Sequence, residues 1–160
     1  MKILFDVTTY KKLCDEFNQR PRNDKEFYKN GKSDQLQFLY NMMGSQWCYN
    51  FKDLYLRFLT RYLNHSIESG DLVYMILSLE KKKSNYLNNI VNDFDALSNL
   101  WVNPELDQFV SILDEIDDFC NAFLDSEPEY NPITEEQFYD FIEDSFLQLE
   151  KSLECINKKF

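Results

Sequence analysis

The chain predicts an all-α fold, a single domain over residues 1–160 built as a bundle of about six helices with mixed crossing angles. Three observations lead there. Three Gly and four Pro in 160 residues are too few to punctuate a strand-and-turn protein. Apolar residues recur at three- and four-residue intervals along most of the chain, the spacing of a helix face. The composition, 44% apolar and 16% aromatic, supplies enough bulk to offset the ordering entropy at this single-domain length.

Residues 7–19 form the first expected helix, with Tyr10, Leu13, Cys14 and Phe17 on one face. Ile3 to Phe5 either extend it or make a short strand. Arg20-Pro21 ends it, because the residue before a proline avoids the helical region. Residues 24–32 read as a polar connection closing in the Asn30-Gly31 turn. Ser33 caps a second helix to about Met43, and Gly44-Ser45 breaks or kinks it. A third helix runs from about Gln46 to Ser66, its wide apolar face including Phe51, Leu54, Tyr55, Phe58, Leu59 and Tyr62. Ser69-Gly70-Asp71 opens the next.

Residues 71–102 read equally as one long helix or as two joined near Lys81–Asn85. Leu72, Met75, Ile76 and Leu79 give one apolar patch, and Leu87, Ile90, Phe94, Leu97 and Trp101 a second. Asn103 as cap and Pro104 as first helical residue start the fifth helix, which reaches about Leu124. The loop 125–133 is stiffened by Pro128 and Pro132. Thr134 and Gln137 have capping-box spacing at the start of the last helix, and Ile133 and Phe138 the spacing of a hydrophobic staple.

The formal net charge of −11 is unevenly spread. Residues 84–150 hold seventeen Asp and Glu and no Lys, Arg or His. Direct nucleic-acid binding through this half is disfavoured, since such affinity rests on cationic contacts to phosphate. A basic protein partner is favoured, with fast, salt-sensitive association. The N-terminal Met1–Asp6 is too short and too soon charged to be a signal peptide, and no apolar run reaches the eighteen or so residues of a membrane span. A cytoplasmic protein that does not engage membranes is expected. Cys14, Cys48, Cys120 and Cys155 lack zinc-site spacing and read as reduced, packed thiols.

Catalytic chemistry lacks its parts, so no catalytic residue, metal or cofactor is expected. The only histidine, His65, has no partner at nucleophile–base spacing and sits near a helix end, where a surface role suffices. A di-iron carboxylate site needs Glu-x-x-His segments, and the residue three before His65 is Tyr62. Asp125, Glu127, Glu129 and Glu136 fall at EF-hand positions 1, 3, 5 and 12, but position 6, where the sharp turn needs glycine, is Tyr130.

The acidic helices carry the functional expectation. In the fifth helix Asp107, Asp114, Asp118 and Asp125 superpose within about 40° at 100° per residue, while Asp117 projects into the apolar stripe. In the sixth, Glu136, Asp140, Glu143, Asp144, Glu150 and Glu154 oppose an apolar stripe that includes Phe138, Phe141, Ile142, Phe146 and Leu149, and Leu147 projects among the acids. Like charges at i,i+4, such as Asp114–Asp118 and Asp140–Asp144, each cost a few tenths of a kcal/mol. A sequence shaped for stability alone would place lysines among them. Residues expected to meet a partner are Asp107, Asp114, Asp118, Asp125, Glu136, Asp140, Glu143 and Asp144, with Tyr130, Tyr139 and Leu147 as apolar anchors.

In size, acidity, aromatic content and helical character the chain resembles the immunity proteins that protect bacteria from secreted toxins. The resemblance implies a non-enzymatic protein that neutralises a cognate basic toxin, a nuclease before a membrane disrupter, by occluding its active site or substrate surface. Two other readings share the same acids: a phage-encoded nucleic-acid mimic that blocks a restriction or CRISPR system, and a helical adaptor whose acidity serves solubility alone.

Overall fold

The computed structural model describes residues 1–20, 25–125 and 132–158. The fold is all-α, with six long helices among these residues. They are α1 (Val7–Gln19), α3 (Lys32–Asn50), α4 (Lys52–Leu63), α5 (Ser69–Ile90), α7 (Asp107–Leu124) and α8 (Glu135–Lys158). Two five-residue helices, α2 (Lys25–Lys29) and α6 (Phe94–Ser98), sit between them. A two-stranded antiparallel ladder joins β1 (Ile3–Leu4) to β2 (Trp101–Val102), with Ile3 opposite Val102 and Leu4 opposite Trp101.

Four of the helices close a ring: α4 packs on α5 and α8, and α7 packs on α5 and α8. Their apolar stripes meet in one core in which Tyr55, Leu59, Leu72, Ile76, Phe109, Leu113, Phe138 and Ile142 are almost fully buried. The last turns of α7 meet the first turns of α8 through aromatic rings, Phe119 on Phe141 at 3.9 Å and Phe123 on Phe138 at 4.4 Å between centroids. A second cluster gathers Phe5, Tyr10, Leu13, Leu39, Met43, Leu87, Ile90, Leu97 and Val102. Helices α3 and α5 are long enough to feed both clusters, which is why residues 71–102 carry two separate apolar patches.

Local signals explain several boundaries. The Asp6 carboxylate accepts from Thr9 N–H at 3.0 Å and caps α1. Glu68 caps α5 in a reciprocal capping box with Asp71. Thr134 and Gln137 form the expected box at α8, with Thr134 N–H donating to Gln137 Oε1 at 2.9 Å and Gln137 N–H to Thr134 Oγ1 at 3.1 Å.

Elsewhere tertiary packing overrides the local reading. Helix α3 runs straight through Gly44-Ser45, and the break falls instead at Phe51, before α4. A glycine in a helix interior weakens it by about 1 kcal/mol, and burial of Met42, Met43, Trp47 and Cys48 around it outweighs that. Helix α5 passes without interruption through Lys81–Lys83 and stops at Ile90; the chain then turns, Asp93 caps α6 through Ala96 N–H, and residues 101–102 are strand. Trp101 is consequently 57% exposed rather than part of a helical stripe. Asn103 does not cap α7. Its side-chain oxygen accepts from Glu105 N–H at 3.0 Å, its own N–H donates to Gln46 Oε1 at 2.9 Å, and α7 begins at Asp107. Within residues 24–32, the short α2 forms around buried Phe27.

Candidate functional site

The acids of α7 and α8 lie in different surroundings. Asp107, Asp114, Asp118 and Asp125 are all exposed along α7, and the first two of them face α3 and α5. Asp107 and Asp114 line a cleft of about 360 Å³ with Tyr40, Ser45, Lys83 and Ser111. Leu124, expected in the apolar stripe, is 59% exposed.

The stripe also has a counter-charge, contrary to the sequence reading. Lys83, one residue outside the acid-only stretch, comes from α5, pairs with Glu80 and lies 3.7 Å from Asp114 Oδ1. Tyr55 donates its hydroxyl to Glu80 Oε1 at 3.1 Å, and burial pushes the phenol far above its ordinary range. Asp117 is half-buried beside this group, and its Oδ1 has no hydrogen-bond partner among the described residues. Burial first, and then the charge of Glu80, push the Asp117 carboxyl up from 3.8 to about 6. Burial raises Asp114 as well, against the pull of Lys83. The α5–α7 seam is thus a mixed-sign structural network more than an open acidic face.

Helix α8 is different. Glu136, Asp140, Glu143, Asp144 and Glu150 are exposed on its outer side, and none forms an ion pair among the described residues. Among the described residues only Glu154, a turn further on, meets a cation, Lys158 at 3.4 Å. Leu147 is 48% exposed in the middle of this row, with Glu143, Asp144 and Glu150 one turn away on the same face. Tyr139 is not the free anchor expected. It is half-buried and donates its hydroxyl to Leu63 O at 3.2 Å. Tyr130, with Glu127 and Glu129 of the EF-hand spacing, lies outside the described residues.

One feature had no signal in the sequence. At the N-terminal end of the α8 row, a pocket of about 520 Å³ is lined by Tyr62, His65, Ile67, Glu135, Glu136 and Tyr139, with Glu68 and Ser69 completing it. His65 follows the end of α4 with a φ of 60°, a left-handed conformation uncommon outside glycine. Its imidazole stacks on the Tyr139 ring, 5.6 Å between centroids and 16° from parallel. Ser69 Oγ donates to Glu135 Oε1 at 2.8 Å. Burial, followed by the Glu135 charge, pushes the Tyr62 phenol up to about 12. The residues come from the α4–α5 turn and from the first turns of α8, far apart in sequence.

No protein-family model, curated protein or solved structure matches this chain. Among the described residues there is no grouping of three or more His, Cys, Asp or Glu that would hold a metal ion, and no helix long and apolar enough to cross a membrane.

Proposed function

We propose that this chain is a non-enzymatic cytoplasmic inhibitor that docks a basic protein through the outer face of α8 and neutralises it. The partner class it fits best is a cognate toxin, a nuclease whose cationic substrate surface the carboxylates cover. One observation carries the reading: five exposed carboxylates of α8, none in an ion pair among the described residues, share one face with an exposed leucine. From Glu136 to Glu150 the row extends about 21 Å at 1.5 Å per residue, a length that suits one standard protein–protein interface. Like charges at Glu136–Asp140 and Asp140–Asp144 destabilise the free helix by a few tenths of a kcal/mol each, and a cationic surface relieves them. Leu147 supplies the apolar centre that rim charges alone lack.

The phosphate-mimic reading draws less support, because it needs one long acidic track. Here Asp107 and Asp114 of the α7 stripe line a cleft with α3 and α5, and Asp114 meets Lys83.

Charge reversal tests the assignment. Asp140→Lys with Asp144→Lys is expected to slow association with the basic partner about tenfold or more at low salt, through lost steering. Helical circular dichroism should be unchanged, because both residues are exposed. Equal association rates for the variant and the wild type at low salt would remove α8 from the interface.

A further inference from the structure

The pocket at the start of α8 is walled by rings and rimmed by carboxylates, and it belongs to the same outer side as the acidic row through Glu136 and Tyr139. We propose that it is the specificity pocket of that docking face and receives one arginine side chain of the basic partner. This rests on the docking role given to α8.

Three features select a guanidinium. The lining brings together the exposed His65 imidazole, stacked on Tyr139, with buried Tyr62 tilted against Tyr139 behind it, so a planar cation meets the outer face of His65 and its methylenes find apolar contact at Tyr139 and Ile67. The charges in the pocket are of one sign. Glu135 has one oxygen engaged by Ser69 and the other free of that bond, and Glu136 is exposed with no ion pair among the described residues. The volume, about 520 Å³, accepts a whole arginine side chain with water, and the fork of five N–H donors suits two carboxylates at once. Lysine, a compact and strongly hydrated point charge, uses the rings less well. Glu68 is held in the α5 capping box, so the reach of the pocket is set by a fixed helix end and not by a mobile side chain. The α3/α5/α7 cleft offers no such single class of ligand, because Lys83 stands inside it opposite Asp107 and Asp114.

The test uses the whole chain without any partner. Arginine amide and lysine amide are titrated at neutral pH and followed by the aromatic resonances of His65, Tyr62 and Tyr139. The expected result is saturable, millimolar binding of arginine amide confined to these rings, weaker for lysine amide. Glu136→Gln, at an exposed position, is expected to weaken it severalfold, and Tyr139→Leu about fivefold, from loss of the ring that holds the His65 imidazole in place. Tyr139→Phe, which keeps the ring, should bind nearly as wild type and guards against a folding defect. Glu150→Gln, far along α8, should have no effect. Non-saturating shifts, or equal weakening by Glu150→Gln and Glu136→Gln, would overturn the pocket and show only a diffuse attraction to acids. Failure here with association still slowed by reversal at Asp140 and Asp144 would remove the pocket and leave α8 docking intact.

Discussion

Replacing Asp117 by Asn should stabilise the protein at neutral pH and have no effect in acid. Asp117 lies half-buried against the α5–α7 seam with Oδ1 unpartnered, and burial together with Glu80 pushes its carboxyl up from 3.8 to about 6. A carboxyl whose pKa is raised by folding holds its proton more tightly in the native state. The stability it confers is present in acid and is lost as the pH rises from the unfolded value near 4 through the folded value near 6. Two pH units correspond to about 3 kcal/mol at 1.36 kcal/mol each, and partial solvent screening of a half-exposed group reduces this to about 1 kcal/mol. Asparagine cannot ionise, so Asp117→Asn removes the loss. Urea unfolding at pH 7 should show a gain of about 1 kcal/mol, equivalent to 2–4 °C in Tm for a chain of this size, and the gain should vanish near pH 4. A variant no more stable than wild type at pH 7, or one equally stabilised at both pH values, would refute the assignment of a destabilising buried charge.

Further expectations follow from the same packing. Lys83→Met leaves Glu80 and Asp114 without their cation and should destabilise by about 2 kcal/mol at pH 7, because removing one member of a largely buried pair strands the other; urea unfolding measures it. Gly44→Ala should stabilise by roughly 0.5–1 kcal/mol in the same assay, since a Cβ there meets only Leu87 Cδ1 at an ordinary 3.6 Å and alanine is the better helix former. Phe138→Ala removes a fully buried ring from the junction of α4, α7 and α8 and should cost about 3–5 kcal/mol, read as a lowered Tm.

The helices legible in the sequence are those whose own stripe faces one core. Helix α1 and the body of α7 follow their apolar periodicity, and α8 follows both periodicity and the Thr134–Gln137 box. The misplaced boundaries are the ones decided by distant chain. Gly44 stays helical because its neighbours are buried by α5 and α7, and Asn103 gives up capping because Gln46 claims its N–H and Glu105 its side chain. Periodicity detects no five-residue helix, so α2 gave no signal, while α6 lies within the stretch read as helical, whose break after Ile90 and strand at Trp101–Val102 gave none. For the site, the α8 acids and Leu147 were readable from one helix's wheel. The contact between Asp114 and Lys83 was not, because Lys83 comes from another helix, and the pocket was not, because His65 and Tyr139 meet only through the packing of α4 against α8.

The most direct test of docking through α8 is capture from the source cell's lysate on immobilised wild type and on Asp140→Lys/Asp144→Lys, eluted with rising salt. Each eluate is then assayed for a nuclease activity that added wild-type protein suppresses. Docking through α8 predicts one basic protein held by the wild type, released by salt, inhibited by the free protein and absent from the variant eluate. The same protein retained equally by both, or a nuclease that the free protein leaves active, would contradict it.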